Sequence, residues 1–295
     1  SLRNKRRSFN FNMGKYKIKV GIIGGSGLGD IANKVLKNSN QLDLKDLKND
    51  FGFPSGNIHT GVINGVEVAL LSRHGQGHKI NPTNVNYRAN IEALKLIGCT
   101  HILASNACGS LCEEIDRGQL VIPDSYIDRT VARKNSLFDG TSPRYQGVCH
   151  MPMEPSFHPD VADVFEQAAK ELGINVRRGG TIVIIEGPRF SSKAESNAFR
   201  LWGGHLVGMT SCPEVSVAKE AGIIYGAIAM ATDYDCWKES DNVCAGDVIQ
   251  VFLQNVSKIT DLLVKAVELI GQRQWDQQLD HLKNLVESGN VSSKD

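Results

Sequence analysis

Two aspartates, Asp233 and Asp235, stand where a long apolar run of the sequence ends. The run, residues 223–231, has the length and composition of a buried strand. At the i, i+2 spacing of a strand, both carboxylates point to one side of the sheet. Paired carboxylates in such a place can exchange a proton with a ligand or accept hydrogen bonds from it. The alternative is two solvated aspartates in a loop.

The stretch GMTSCPE at residues 208–214 lies about twenty residues before the aspartates. A short apolar run leads into it, which predicts a strand, and Pro213 and Glu214 favour the first turn of a helix. Backbone N–H groups at a helix N-terminus bind anions, and the Thr210 hydroxyl can add a donor. This unit therefore predicts an anion site beside the two carboxylates. The alternative is a helix N-terminus without a ligand.

A glycine-rich turn, GGSGLG at residues 24–29, follows the first predicted strand. Such turns let backbone N–H groups approach a phosphate closely. The dinucleotide pattern G-x-G-x-x-G fails because Asp30 replaces its last glycine, and the lysine of a Walker A motif does not follow. The turn is therefore either a short phosphate loop with Ser26 as a hydroxyl donor or a plain tight turn.

Two more predicted strands also end in polar residues. Arg73 and His74 follow the second strand of a predicted hairpin, and the planar fork of an arginine can bond two phosphate oxygens. The alternative at this position is a surface ion pair. Asn106 and Ala107 follow the next strand along the chain, in a predicted turn. Because ligands of α/β sheets bind beyond the carboxyl ends of the strands, all these residues are expected to form one site.

The elements that position these residues alternate between strand and helix, which indicates one α/β domain. Strands are predicted at residues 17–23, 100–105, 119–122, 126–127, 181–185, 205–207 and 223–231, with a hairpin at 61–71 around Asn64-Gly65. Helices are predicted at residues 85–97, 159–172, 213–221, 247–269 and 275–288, and at 193–202 behind the capping box of Ser192 and Glu195. Residues 129–153 form a long irregular loop, which usually indicates a function or a partner. Residues 33–50 fit no pattern.

The composition is that of a globular protein with a substantial core. The chain has 295 residues, 41% of them apolar, and a formal net charge of +1. A nearly neutral chain has no global field that recruits nucleic acid or an acidic membrane. No run reaches the roughly 18 apolar residues of a membrane span. The charge is unbalanced only in the basic segment 1–14, which is expected to be a disordered tail or a remnant of an expression tag.

The seven cysteines indicate a reducing, cytoplasmic environment. Their number is odd, they form no CxxC pair, and no secretion signal accompanies them. His74 and His78 are four residues apart, but Gly75 and Gly77 argue against a helix between them. The HExxH geometry of a zinc site therefore does not arise, and no metal site is predicted.

Six motifs of this sequence resemble those of the trimeric purine nucleoside phosphorylases. They are GIIGGSG at 21–27, SRHG at 72–75, NACGS at 106–110, IEGPRF at 185–190, MTSCPE at 209–214 and ATDYDCW at 231–237. The similarity extends over about residues 17–285. It implies a single phosphorylase domain, residues 15–295, with a central mixed and partly barrel-like sheet flanked by helices. It also implies a homotrimer with active sites at the subunit interfaces.

The resemblance further implies an enzyme, a pentosyltransferase that cleaves 5′-methylthioadenosine with phosphate to adenine and 5-methylthioribose 1-phosphate. Such a reaction belongs to purine and methionine salvage, in the cytoplasm and also the nucleus. Phosphate is a co-substrate, and no cofactor, nucleic acid or membrane is expected as a partner. Alternatives are a phosphorylase for adenosine or inosine, a hydrolytic nucleosidase and a non-catalytic nucleoside-binding protein. The last two would need no phosphate site.

Residue roles follow from the matching motifs. Phosphate would contact Ser26, Arg73, His74, Asn106, Ala107 and Thr210. The nucleoside would contact Met209 and Phe190 at the ribose or base, His78 near the 5′ side, and His150 from a neighbouring subunit. Asp233 and Asp235 would bind N7 and the 6-amino group of the purine and, with His74, act in catalysis. Because a bond from Asp233 to N7 needs a proton, its pKa is expected above the usual value of about 3.9, raised by Asp235 and desolvation.

Three positions depart from the family pattern. Ser26 and Asn106 stand where threonine is expected, and serine keeps the hydroxyl. Gly246 aligns where a small apolar side chain lines the 5′ pocket, beside Ile249. Glycine leaves more room there, so discrimination between methylthio and hydroxyl groups is expected to be weaker. Adenosine is then expected as a second substrate.

Overall fold

The computed structural model describes residues 14–25, 35–238 and 243–291. Eleven strands form one sheet: β1 Lys19–Gly24, β2 Lys37–Leu42, β3 Ile58–Ile63, β4 Val66–Ser72, β5 His101–Ser110, β6 Leu120–Ile122, β7 Ser125–Arg129, β8 Val176–Arg178, β9 Thr181–Ile185, β10 Leu206–Gly208 and β11 Ile224–Asp233. Six α-helices lie wholly within the same residues: α1 Tyr87–Leu96, α2 Pro159–Leu172, α3 Lys193–Leu201, α4 Ser211–Glu220, α5 Ala245–Gln272 and α6 Asp276–Gly289.

Strand β5 is the branch point of the sheet. It pairs in parallel with β1 and with β11, and its last two residues pair in antiparallel fashion with β10. One arm of the sheet continues from β10 to β9 and β7, and another from β11 to β6 and β8. On the far side of β1 follow β4, β3 and β2. The mixed sheet that the family resemblance implied is thereby confirmed.

The sheet separates two hydrophobic cores. Along β11, Ala227 and Ala229 belong to the core that also holds residues of α1 and α4, whereas Ile228 and Met230 belong to the core with residues of α2 and α5. Successive side chains of a strand point to opposite faces, so helices cover the sheet on both sides. This burial on two faces explains why β11 reads as a continuous apolar run in the sequence.

Local sequence signals predicted most boundaries to within a few residues. The hairpin turn has positive φ at Asn64 (47°) and Gly65 (88°), as a type I′ turn requires. The capping box is complete, because Ser192 and Glu195 satisfy each other's backbone N–H groups. Helix α2 ends before Gly173, whose φ of 67° lies in the left-handed region.

Two predictions about strands were wrong or incomplete. The predicted turn at residues 106–110 is the second half of β5, because β11 and β10 provide partners for its backbone as far as Ser110. The unassigned segment 33–50 contains β2, an edge strand whose polar residues KNSNQL are mostly exposed. An edge strand with a solvated surface has no apolar alternation that a sequence pattern can detect.

Three other expectations concern the chain ends, the cysteines and the membrane. Residues 1–13 of the predicted tail lie outside the described residues, so the boundary at residue 14 stays a prediction. All seven cysteines are free thiols. In the described part of the chain, none of the helices combines the length and the apolar character needed to cross a bilayer.

Candidate active site

A cavity of about 160 Å³ opens where β1, β4, β9, β10 and β11 end beside the second half of β5. Ten of the residues predicted for the site line this cavity: Arg73, His74, His78, Asn106, Ala107, Phe190, Met209, Thr210, Asp233 and Asp235. Residues that the sequence did not single out line it as well, among them Pro82, Ser191, Thr232 and Val248. One cavity therefore joins the predicted anion end to the paired carboxylates.

Four predicted site residues do not line the described cavity. Ser26 lies outside the described residues. His150 is exposed on the long loop, and its backbone N–H donates to the Gly289 carbonyl (2.8 Å). Gly246 and Ile249 share a face of α5, and Ile249 is 50% exposed there. Their assignment to the 5′ pocket stays a prediction, and of the neighbouring residues on the helix Val248 lines the cavity.

The anion end is built where β10 runs back along β5. Because these strands are antiparallel, the residues that follow Gly208 return alongside Asn106. The Asn106 side-chain N–H donates to the Thr210 hydroxyl oxygen (2.9 Å), while Oδ1 of Asn106 is buried without a partner. The hydroxyl hydrogen of Thr210 is then left to donate to a ligand.

Arg73 is part of a buried ion pair and not of a surface pair. Its side chain is 1% exposed and that of Glu214 is fully buried. The guanidinium donates to both carboxylate oxygens of Glu214, from Nε (2.6 Å) and from Nη2 (2.7 Å), and its Nη1 donates to the Ser105 carbonyl (3.1 Å). The sequence had placed Glu214 at the start of a helix, but its contact with Arg73, 141 residues away, had no sequence signal.

His74 is a neutral acceptor towards the cavity. Burial and the positive charge of Arg73 lower its pKa to about 4, so the ring is uncharged near pH 7. Its Nδ1 lies 2.8 Å from the carbonyl oxygen of Ile80, which can only accept a hydrogen bond. Nδ1 must therefore carry the proton, which leaves Nε2 as an acceptor. The ring stacks on that of His78 at 4.2 Å, and burial lowers the pKa of His78 as well.

Arg133 fixes the backbone at the centre of the site, although nothing in the sequence indicated it. From the long irregular loop its guanidinium donates to the carbonyls of Met209, Cys212 and Glu186, each at 2.6 Å. Glu186 in turn accepts from the backbone N–H groups of Val131 (2.6 Å) and Ala132 (3.2 Å). The loop thereby ties the end of β9 to the turn between β10 and α4. Its predicted functional importance has this structural basis.

The two aspartates meet through a turn and not through strand spacing. Strand β11 ends at Asp233, and Asp235 has a left-handed φ of 49°. The Asp235 N–H donates to Oδ1 of Asp233 (2.8 Å), a turn that aspartate favours because its side chain bonds the backbone two residues on. Oδ2 of Asp233 accepts from the Thr232 hydroxyl (2.8 Å). The predicted proximity is correct, but its expected cause was wrong.

Asp235 is a buried carboxyl group at one end of the cavity. Its side chain is buried, and this burial raises its pKa, while the neighbouring hydroxyls of Ser196 and Ser191 oppose the rise. Oδ2 of Asp235 and both hydroxyl oxygens nevertheless complete no hydrogen bond. Asp235 and Ser191 line the cavity, and buried polar atoms without partners at such a place indicate a site built for a polar ligand edge.

The site thus offers a fixed cation and a hydroxyl donor at one end and paired carboxylates at the other. Among the described residues, no group of three or more histidine, cysteine or acidic side chains has an arrangement that could hold a metal ion. This arrangement can bind an oxyanion beside groups that donate or accept a proton.

Comparison with known proteins identifies the protein family. The family model for the phosphorylase superfamily matches residues 19–268. An S-methyl-5′-thioadenosine phosphorylase from Anopheles gambiae is 50% identical over 271 residues, which cover 92% of this chain and 95% of that protein.

Solved structures agree with the sequence relatives. The methylthioadenosine phosphorylase from Schistosoma mansoni in complex with adenine superposes with a TM-score of 0.87 at 39% identity, over 93% of this chain and 99% of that chain. A mutant of the adenosine/methylthioadenosine phosphorylase from the same organism, in complex with methylthioadenosine, gives a TM-score of 0.86 at 39% identity with the same coverage. This chain belongs to the phosphorylase superfamily and, within it, to the S-methyl-5′-thioadenosine phosphorylase family.

The raised pKa of Asp235 predicts a pH-dependent stability difference for Asp235→Asn. With a raised folded pKa, the contribution of Asp235 to stability is fully present below its unfolded pKa and is lost as the pH rises through the folded value. Asparagine cannot ionise, so the variant should gain stability relative to the wild type between pH 4 and pH 7. Urea unfolding at both pH values measures this difference, and an equal difference at the two would contradict it.

Asp233→Asn is the matched control for that measurement. Both carboxylate oxygens of Asp233 accept hydrogen bonds, and asparagine keeps only one acceptor oxygen. The control should therefore be destabilised by roughly 1–3 kcal/mol at neutral pH, the cost of leaving a buried polar partner unsatisfied.

Proposed function

We propose that this protein catalyses the reversible phosphorolysis of 5′-methylthioadenosine. A phosphate oxygen forms a bond to C1′ of the ribose while the bond from C1′ to N9 of adenine breaks. The products are adenine and 5-methylthioribose 1-phosphate. The observation that carries this proposal is the single cavity that joins Arg73 and Thr210 to Asp233 and Asp235. Membership of the family supports it.

Phosphate is assigned to the end of the cavity with the fixed cation. Of the five N–H groups of an arginine, three of Arg73 are already bonded within the protein. One N–H on each of Nη1 and Nη2 is left for the anion, together with the Thr210 hydroxyl. Ser26, Asn106 and Ala107 complete the proposed set from the sequence motifs. A fixed set of donors of this kind stabilises charge on an oxyanion without reorganisation.

The proton balance of the reaction fits the two ends. Hydrogen phosphate loses its proton when it becomes the sugar phosphate, and the departing purine gains one. Nε2 of His74 is an acceptor that can receive the P–OH hydrogen bond. At the other end the protonated form of Asp235, which burial favours, can donate to N7 as the C1′–N9 bond breaks. In this assignment Asp233, whose oxygens already accept two hydrogen bonds, orients Asp235 and accepts from the 6-amino group.

Adenosine is proposed as a second substrate. One of the similar solved structures carries the name adenosine/methylthioadenosine phosphorylase. Val248 and His78 line this chain's cavity, and Gly246, two residues before Val248 on α5, has no side chain at the position predicted for the 5′ pocket. A pocket that separates methylthio from hydroxyl groups by apolar contact alone discriminates by only about 1–3 kcal/mol.

A homotrimer with shared active sites is also proposed. Large apolar side chains near the cavity remain exposed in the single chain: Phe190 to 37% and Val131 to 83%. Val131 lies near the cavity, because its N–H donates to Glu186, which follows the lining residue Ile185 at the end of β9. A neighbouring subunit that covers these side chains and brings its own His150 would complete the site.

Two further proposals concern the reaction conditions. The reaction needs phosphate as a co-substrate and no cofactor, so treatment with a chelator should leave the rate unchanged. A location in the cytoplasm and nucleus stays a prediction from the sequence, and fluorescence imaging of the tagged protein in cells tests it.

Adenine release should depend strictly on phosphate. Arg73→Ala removes the fixed fork from the anion end, so it should chiefly raise the KM for phosphate. Initial rates at a series of phosphate concentrations measure both effects. Release of adenine at full rate in phosphate-free buffer would assign the protein to the hydrolytic nucleosidases instead.

His150→Ala should raise the KM for the nucleoside although His150 is exposed and outside its own subunit's cavity. The physical reason is that the proposed trimer brings this side chain to the next subunit's substrate. Light scattering during turnover gives the oligomeric state. A fully active monomer would refute the shared site, and Lys134→Ala, an exposed change on the same loop, is the control for a general effect of loop substitution.

The paired aspartates should favour 6-amino over 6-oxo purines. An ionised carboxylate accepts a hydrogen bond from the amino group, but it would face a lone pair of an oxo group and stay unpaired. A site built around such a bond can reject the analogue that lacks it by about 10⁴-fold or more. The specificity constants for adenosine and inosine give the ratio. Equal values would move this chain to the 6-oxo phosphorylases.

A further inference from the structure

We propose that Glu214 is a positioning residue for phosphate: it holds the guanidinium of Arg73 so that two N–H groups face the cavity. This inference rests on the proposed phosphorolysis and concerns how its phosphate site is built. Arg73 lines the cavity, whereas Glu214 is not among the described lining residues. Glu214 would therefore act on phosphate only through Arg73.

The contact geometry fixes both the position and the orientation of the guanidinium. Two parallel bonds, from Nε at 2.6 Å and Nη2 at 2.7 Å, join it to the two oxygens of one carboxylate. Such a bidentate pair adds geometric specificity to its energy. The third bond, from Nη1 to Ser105 on β5, holds the opposite edge of the plane. The groups left for a ligand are one N–H on each terminal nitrogen.

Glu214 is itself held from a second direction. The Tyr225 hydroxyl of β11 donates to the same oxygen, Oε1, at 2.8 Å. The Arg73 backbone is fixed as well, because its N–H donates to the Gly24 carbonyl at the end of β1 (2.9 Å). The backbone at Gly25 lies beside the fork, since a Cβ atom there would be in van der Waals contact with Nη1 at 3.4 Å. The arginine thus has little freedom other than to face the anion end.

Two variants separate positioning from charge compensation. Glu214→Gln keeps the shape, removes the charge and turns an amide N–H towards an arginine donor. Glu214→Asp keeps the charge but withdraws the carboxylate by one methylene. If position matters, both should raise the KM for inorganic phosphate by about 10- to 100-fold, by analogy with the loss when the outer partner of a metal ligand is removed. The KM for the nucleoside should stay unchanged.

Thermal shift of the free protein on titration with inorganic phosphate gives a second measurement, independent of turnover. The phosphate concentration for half of the shift should rise in both variants, because a ligand stabilises the folded state only as far as it binds. Tyr225→Phe, which frees one oxygen of Glu214, should give a smaller rise in the same direction. It carries the test if the Glu214 variants do not fold.

The control is Glu220→Gln on the same helix. Glu220 is also buried, but it accepts from Ser136 (2.9 Å) and Leu137 (2.6 Å), away from the cavity. This variant should lose stability without a change in the KM for phosphate.

The remaining outcomes decide against the proposal. An unchanged or lowered KM for phosphate in both Glu214 variants would leave the ion pair a purely structural feature, and a wild-type value in Glu214→Asp alone would leave charge compensation as the only role. If the wild-type enzyme released adenine without phosphate, the proposed function would fail instead, and the two failures are therefore distinct.

Discussion

The buried pair of Arg73 and Glu214 is the interaction on which the site depends. Neither charge is tolerable alone in a dry interior, and removing one partner of such a pair typically costs about 3–5 kcal/mol. The pair connects the end of β4 to α4, and the further bonds to Ser105 and Tyr225 bring in β5 and β11. Replacing a buried ion pair with apolar residues is often neutral or stabilising. Stability alone therefore does not explain this pair, whereas a requirement for a cation at a fixed place beside an anion does.

A similar logic applies to the backbone around the nucleoside. Arg133 gathers three carbonyl groups from segments that are far apart in the chain, and its side chain is only 1% exposed. Carbonyls at the ends of short strands would otherwise point into the protein without partners. One guanidinium satisfies all three and ties the segment after β9 to the turn after β10. The turn that carries Met209 and Thr210 is thus rigid before any ligand binds, which lowers the entropic cost of binding.

The sequence predicted the elements and the residue types of the site better than the reasons for their positions. Gly65 marks the hairpin turn and Ser192 marks the start of a helix. Both signals depend only on residues close together in the chain, so the sequence alone shows them. The strand through Asn106 was not readable, because its continuation depends on partners from β10 and β11. The same holds for Glu214, whose partner lies 141 residues away. The role of Gly246 stays a prediction, because alignment gives a position on a helix but not the face that points to the cavity.

The two titrating groups of the site are both shifted towards their neutral forms, and for the same reason. Burial lowers the pKa of His74 and raises that of Asp235, since a low-dielectric cavity disfavours the charged form of either group. In the proposed reaction the neutral ring of His74 accepts a hydrogen bond from the phosphate hydroxyl, and the protonated form of Asp235, which burial favours, supplies the proton that the purine gains. A raised pKa increases the protonated fraction of Asp235, which is the form that can donate. The enclosure of the cavity is therefore a requirement of the chemistry. A neighbouring subunit that covers Phe190 would strengthen it.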